Sequence, residues 1–388
     1  MKRSIRFIVF VVVALVAAFS SADVPGAPPP GSPLAGVSLR DMRKGPDGYF
    51  QQLADGRRVH FTVIPDLQQF ADELFAANDV PAGAAVVLNS RTGRVLALSQ
   101  YHGEAFASPV DDVALDASPP AASIFKIVTT SALLEKAGVN LNTELCYHGG
   151  GNSLQMENLI DSRELDSACR SLKKAFGFST NAVYAKLSDR HLPRDVLHQY
   201  AERFGFGRPL PFDVAVSPSE VDVPAERLEK ARAAAGFWHS HLSPLHGAMI
   251  AQSIAQDGAM LKPYIVERVE DAAGRPIYEA QTAYLGRTVE KDTARLLREA
   301  MTVTVTDGTA RKGFREGNHP VVPGIQVAGK TGTLNGKNPY RAYSWFVGLA
   351  PADKPEVAIA VLIVNSPKWR IKSSSAAAAI LREYFNKR

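Results

Sequence analysis

A serine and a lysine three residues apart, Ser123 and Lys126, open the mostly apolar stretch PPAASIFKIVTTSALLEKAG, which ends at Gly138. The stretch reads as a helix. Residues three apart on a helix share a face, so the hydroxyl and the amine are neighbours. Ser123 falls in the first turn, where unpaired N–H groups favour developing negative charge. Lys126 stands among Ile124, Phe125, Ile127 and Val128. Apolar surroundings disfavour an ammonium ion and lower the pKa of its amine. A neutral amine beside a hydroxyl is a general base beside a nucleophile. Taken alone the pair is weak, because Ser-x-x-Lys recurs at Ser171–Lys174. A lone match reads as a capping serine with a snorkelling lysine.

Two further motifs change that balance. FSTNAVYAKL supplies Ser179, Thr180 and Asn181, and VAGKTGTLNG supplies Lys330, Thr331, Gly332 and Thr333 between an apolar strand and a turn. Ser123 precedes Ser179 by 56 residues, and Asn181 precedes Lys330 by 149, whereas Ser171 lies only 8 residues before Ser179. Ser-x-x-Lys, Ser-x-Asn and Lys-Thr-Gly in that order resemble the penicillin-binding protein and serine β-lactamase superfamily. The likeness covers roughly residues 59–388. TVIPDLQ, VVLNSRTGRVLALS, HLSPLHGAMIAQSIAQDGAMLKPY, DGTAR and YSWFVGLAP are similar to penicillin-binding transpeptidase domains.

The resemblance implies a role for each residue. Ser123 Oγ would attack a carbonyl next to D-alanine and become acylated, with Lys126 taking its proton. Ser179 would relay a proton to the leaving amine, and the Asn181 amide would hold the substrate's amide bond. Lys330 would supply positive potential and help bind the substrate carboxylate, assisted by Thr331 and Thr333, while Gly332 lets substrate lie against the strand. The backbone N–H groups of Ser123 and Thr333 would form the oxyanion hole. Neither cofactor nor metal is needed, since nucleophile, base and oxyanion donors are all protein groups.

The elements that must carry these residues are legible in outline. Apolar and polar runs predict hairpins at GYFQQLADGRRVHFTV, turning at Asp55-Gly56, and at AGAAVVLNSRTGRVLALSQ, turning at Ser90–Gly93. Between them, Leu67, Phe70, Leu74 and Phe75 mark one face of a helix. Residues from about 111 to 299 read as helix and loop. Strands return near residue 321, and SSSAAAAILREYFNKR closes the chain as a serine-capped helix. Strands at both ends (about 59–110 and 300–388) and helices between predict an α+β layout in which the ends share one antiparallel sheet. The resemblance makes that sheet five-stranded, flanked by helices, with the cleft between it and an adjoining helical subdomain.

Ahead of this domain, residues 1–22 combine basic residues with an apolar run from Phe7 to Phe19 and small residues ending at Ala22, an export signal or membrane anchor. Residues 23–47, rich in proline and glycine, read as a tether. The protein is therefore expected outside the cytoplasmic membrane, in the periplasm or held at the membrane's outer face. Three of the five net positive charges, Lys2, Arg3 and Arg6, belong to this leader, so charge gives no reason to propose a nucleic-acid partner. Two cysteines, Cys146 and Cys169, are either a disulfide, which an oxidising compartment favours, or two buried thiols. His239, His241 and His246 come nearest to a metal cluster but lack an acidic partner, and His148 reads as an exposed loop residue.

The fate of the acylated serine separates the members of the superfamily. Class A β-lactamases place a water-activating glutamate in a Glu-x-x-Leu-Asn loop. The corresponding stretch here, SEVDVPAERLEKARAA, has neither the leucine nor the asparagine in place. A β-lactam is expected to stay bound as an acyl-enzyme. The TVIPDLQ and NSRTGRVLAL segments favour a D,D-transpeptidase that cross-links peptidoglycan stem peptides. A D,D-carboxypeptidase, a β-lactamase of the same fold and a non-catalytic sensor module remain alternatives. Fewer than forty residues separate Ala22 from His60. That is too short for the glycosyltransferase domain of bifunctional synthases or for the pedestal through which division and elongation enzymes join a cell-wall synthesis complex.

Overall fold

The computed structural model describes residues 28–29, 31–103, 112–151, 153–337 and 340–387. The expected export signal, residues 1–22, lies outside the described residues. In chain order the elements begin with β1 (Arg43–Gly45), β2 (Gly48–Gln52), β3 (Arg58–Phe61), α1 (Pro65–Ala77), β4 (Ala82–Asn89) and β5 (Val95–His102). The middle of the chain holds α2 (Lys126–Lys136), β6 (Glu144–Tyr147), β7 (Ala168–Ser171), α3 (Leu172–Gly177), α4 (Asn181–His191), α5 (Arg194–Arg203), α6 (Arg227–Ala234) and α7 (Pro244–Ala255). Then come β8 (Ala259–Leu261), β9 (Val266–Glu270), β10 (Pro276–Glu279), β11 (Tyr284–Arg287), α8 (Lys291–Thr306), β12 (Arg315–Glu316) and β13 (His319–Pro320). The chain ends with β14 (Ala328–Lys337), β15 (Tyr340–Ala350), β16 (Val357–Asn365) and α9 (Ser373–Asn386).

The two ends of the chain build one antiparallel five-stranded sheet in the order β14-β15-β16-β4-β5. Its strands alternate between two apolar cores, as a period of two requires. Ala84, Val86, Leu88, Val347 and Leu362 face one core, and Ala85, Val87, Phe346, Val361 and Ile363 face the other. The second core is closed by Leu67, Ala71 and Phe75 of α1 and by Ile380 and Leu381 of α9. The first is closed by α7, in which every residue is buried because it lies between the sheet and the helical layer. Burying each large apolar side chain here contributes about 1.5–3 kcal/mol.

The expected helical region is less uniform than its sequence suggests. β9 and β10 join β1, β2 and β3 in a second five-stranded sheet, ordered β1-β2-β3-β9-β10. Its strands are three to five residues long, and several of their side chains are exposed. Such strands leave only a weak apolar pattern in the sequence. The expected tether up to residue 47 is, in its described part, not free chain. Leu34 is buried, Arg57 donates to the carbonyls of Pro33 and Ala35, and β1 pairs with β2. The predicted hairpin at Asp55-Gly56 forms, with Phe50 opposite His60.

Candidate active site

Ser123 lies in a short 3-10 turn, Ala122–Phe125, that runs directly into α2. The residue before it, Ala122, is buried with φ +51°, a left-handed conformation rare for a residue with a side chain. Strain of this kind costs about 1–3 kcal/mol and persists only where surrounding structure enforces it. Two glycines do so. A Cβ on Gly236 would lie 2.3 Å from the Ala122 carbonyl oxygen. A Cβ on Gly332 would lie 3.1 Å from the Ala122 Cβ and 3.3 Å from the Ser123 nitrogen. Gly332 belongs to β14, so the edge of the main sheet presses against the backbone of the serine. The Trp345 indole, opposite Gly332 in β15, donates to the Pro120 carbonyl at 2.9 Å and fixes the approach to the turn from below.

One helical turn on, Lys126 is fully buried. Its Nζ lies 2.8 Å from Ser123 Oγ, 2.7 Å from Asn181 Oδ1 and 2.5 Å from the Ala235 carbonyl oxygen. Burial holds its pKa well below that of a free lysine, and the charge of Lys330 adds to the effect. The three contacts suit a neutral amine. Such a nitrogen has two hydrogens and one lone pair. The Asn181 and Ala235 oxygens only accept, so they take both hydrogens. The lone pair is then left facing the serine hydroxyl.

Ser179 and Asn181 come from the turn between α3 and α4. Ser179 has φ +56°, the second strained residue of the site. Asn181 is the first residue of α4, and its Nδ2 donates to the Gly151 carbonyl at 2.7 Å. Thr180 is held by Arg170, whose Nη1 donates to Thr180 Oγ1 at 2.6 Å. Lys330, Thr331, Gly332 and Thr333 lie in sequence on β14, where alternation sends Lys330 and Gly332 into the protein and leaves Thr331 and Thr333 more exposed. Lys330 is fully buried, its Nζ donates to its neighbour's carbonyl, Thr331 O, at 2.8 Å, and burial pulls its pKa down to about 7.

Around Ser123 the cleft divides into two limbs. One, of about 370 Å³, is lined by Ser123, Ser179, Thr331, Thr333, Trp369 and Lys372 among others. The second, of about 480 Å³, is lined by Ser123, Asn181, Gly236, Trp238 and Leu334 among others. Neither includes an aspartate or glutamate among its described lining residues. Five of the eight sequence-selected residues, Ser123, Ser179, Asn181, Thr331 and Thr333, thus line one groove, and Lys126, Lys330 and Gly332 are buried behind its wall.

Other expectations sort differently. Ser171 of the second Ser-x-x-Lys caps α3, accepting from the Lys174 amide. Cys146 and Cys169 face one another across the β6–β7 hairpin and are joined as a disulfide. His148 is not an exposed loop residue. Its Nδ1 lies 2.6 Å from Asp166 Oδ1, and Asp166 also receives buried Lys186 at 2.7 Å. The histidines of WHSHLSPLH do not converge: His239 meets Glu229, His241 meets the Ser118 carbonyl, and buried His246 meets the Phe204 carbonyl. Sequence reasoning gave no role to Thr309, whose hydroxyl bonds that of Thr331, nor to Gly151, Gly236, Trp238 and Lys372. DGTAR was a usable signal for Thr309. The rest are single residues in loops or at helix ends, where only folding shows what they face.

A serine hydroxyl in contact with a buried lysine at the start of a helix, facing the edge of a five-stranded antiparallel sheet, is the arrangement of a serine acyl-transferase fold. Residues 83–386 match the penicillin-binding protein transpeptidase domain, and the chain belongs to that family. It is 29% identical over 378 residues to the peptidoglycan D,D-transpeptidase PbpA of Mycobacterium tuberculosis, covering 89% of this chain and 74% of that protein. Its structure is similar to the D,D-transpeptidase domain of a peptidoglycan glycosyltransferase from Eggerthella lenta, with TM-score 0.73, 27% identity and 89% of each chain covered. It is also similar to M. tuberculosis penicillin-binding protein A in its penicillin G acyl-enzyme complex, with TM-score 0.69, 26% identity and 84% and 80% of the two chains covered.

Proposed function

We propose that the protein is a penicillin-binding D,D-transpeptidase that cross-links peptidoglycan stem peptides through an acyl-serine intermediate on Ser123, and that β-lactams acylate the same serine. The observation that carries this reading is the contact of Lys126 Nζ with both Ser123 Oγ and Asn181 Oδ1. The lone pair of Lys126 takes the hydroxyl proton as Oγ attacks the carbonyl beside the terminal D-alanine. The carbonyl oxygen gains charge and is met by the backbone N–H groups of Ser123 and Thr333. Lys126 returns the proton by way of Ser179 to the departing D-alanine amine. An amine of a second stem then attacks the ester, gives its proton back along the same path, and releases Ser123. Asn181 holds the donor amide. Lys330, buried below the strand, contributes through its charge rather than by touching the ligand.

The absence of a carboxylate among the described lining residues supports transfer to an amine over fast hydrolysis, since a water needs a base to attack the ester. In the stretch that corresponds to the β-lactamase loop, Glu229 is engaged by Arg232 and His239. The reaction belongs outside the cytoplasmic membrane, where its polymer is, consistent with the N-terminal signal or anchor. A cell-wall synthesis complex is a fitting partner.

Two measurements test this reading. Fluorescent penicillin is expected to label the chain, with labelling lost in Ser123→Ala. A pentapeptide stem supplied with an acceptor amine is expected to yield cross-linked product. Release of free D-alanine alone would reassign the protein as a carboxypeptidase, and a chain that takes no label would be a sensor module.

A further inference from the structure

The smaller limb of the cleft carries a single formal charge among its described lining residues, Lys372. Its remaining polar wall is mainly hydroxyls, among them Ser179, Thr309, Thr331 and Thr333, together with the Asn181 amide. Hydroxyls can all donate toward an anion, and no carboxylate competes with them. Lys372 is exposed, immediately precedes α9, and has no side-chain hydrogen bond or ion pair among the described residues. Its neighbour Arg370 is instead committed to Asp79 at 2.9 Å.

The lysine expected from the motif to bind a carboxylate is poorly placed for it. Lys330 is fully buried, donates to Thr331 O, and is not among the residues lining either limb. Burial also brings its pKa down to about 7, so near neutral pH it is charged only part of the time. The opposite limb offers Phe237, Trp238 and Leu334, which suit an uncharged acyl portion. The two sides of Ser123 therefore differ in charge: one carries Lys372 among hydroxyls, and the other has aromatic and amide groups with no formal charge among its described lining residues.

We propose that Lys372, and not Lys330, is the cation that receives the terminal carboxylate of the leaving portion of the ligand, and so sets the specificity of the cleft for a free carboxyl end. This rests on Ser123 as the acylated residue, because the bond that breaks must lie between the two limbs. An acyl-D-alanyl-D-alanine would put its uncharged chain along Trp238 and its carboxylate against Lys372 and the threonine hydroxyls.

The test separates carboxylate recognition from acylation. In a Ser123→Ala background, which stops covalent chemistry, the affinities of an acyl-D-alanyl-D-alanine peptide and of its C-terminal amide are measured by calorimetry. Adding Lys372→Gln, which removes the charge and keeps a polar side chain, is expected to weaken the free acid about fivefold to tenfold, as for a charge-assisted contact at a partly exposed site. The amide should be unchanged, and Lys372→Arg should restore the preference. Equal weakening of both peptides, or no preference for the acid in the Ser123→Ala chain, overturns the proposal. Penicillin labelling of the chain with Ser123 intact reports separately on the nucleophile, so loss of one reading is distinguishable from loss of the other.

Discussion

Two buried lysines define the chemistry at the scale of the residue, and they leave a thermodynamic trace. Lys126 and Lys330 are both wholly buried, and burial lowers both pKa values, that of Lys330 to about 7. In the unfolded chain each returns to about 10.4. Between those values the unfolded state binds a proton that the folded state does not, so stability rises with pH across the window and falls as pH drops toward the folded pKa. Lys330 Nζ lies 5.6 Å from the centre of the Phe176 ring, and Lys330→Met removes the amine while keeping an unbranched apolar side chain beside it. Thermal unfolding between pH 7 and 9 is expected to climb less steeply with pH in this variant than in the parent chain, with the remaining slope due to Lys126. Superimposable slopes would mean that Lys330 is solvated and charged in the folded protein. The position of Lys126 was readable from sequence, because its apolar neighbours Ile124, Phe125, Ile127 and Val128 and the two further motifs together favour burial over a snorkelling side chain. The neutral state's partners were not, since Ala235 and Asn181 reach it from 109 and 55 residues away.

At the scale of the element, the site is a matter of how closely three backbones approach. The turn at Ala122, the end of α6 and the edge strand β14 meet with only glycines at the contacts, Gly236 and Gly332. Gly236 itself has φ +80°, so a side chain there is disfavoured twice, by conformation and by the Ala122 carbonyl 2.3 Å from its Cβ. Gly236→Ala is expected to cost about 1–3 kcal/mol of stability and to slow acylation by tenfold or more as Ser123 is displaced from Lys126. Denaturant unfolding and the rate of penicillin labelling read the two effects. Normal labelling in a destabilised variant would show that the turn moves as a unit with Lys126. The main sheet was legible because β4, β15 and β16 are long, apolar and bounded by turns. The second sheet was not. Its strands β9 and β10, VERVE and PIYE, mix charged and apolar residues over five and four positions, and the strand that pairs β9 to the rest of the sheet, β3, lies more than 200 residues earlier. A short amphipathic run of that kind is indistinguishable from loop until its partner is known.

At the scale of the molecule, one cross-link ties the loop that meets Asn181 to the rest of the helical region. The chain between Cys146 and Cys169 leaves the β6–β7 hairpin, passes the cleft, and presents the Gly151 carbonyl to Asn181. On the way back Asp166 is pinned by Lys186 and His148, and Asp161 by Arg190. The disulfide closes a loop with a sequence separation of 23, for which the restriction of the unfolded chain contributes about 3 kcal/mol. The ion pairs and the Gly151 contact act only in the folded state, and the Lys126 amine still holds Asn181 from the other side. The two roles of the loop are therefore separable. Replacing both cysteines by serine should lower the free energy of unfolding by about 3 kcal/mol, read from urea midpoints, while penicillin labelling at room temperature slows only a few fold. Lys186→Met should do the reverse in proportion. It leaves Asp166 buried without its cation, loosens the loop at its docked end, and slows labelling more than the double serine variant does, with the cross-link intact. If the cysteine variant loses labelling altogether while still folded, the disulfide itself is what aligns Asn181, and the ion pairs serve only to seal the loop.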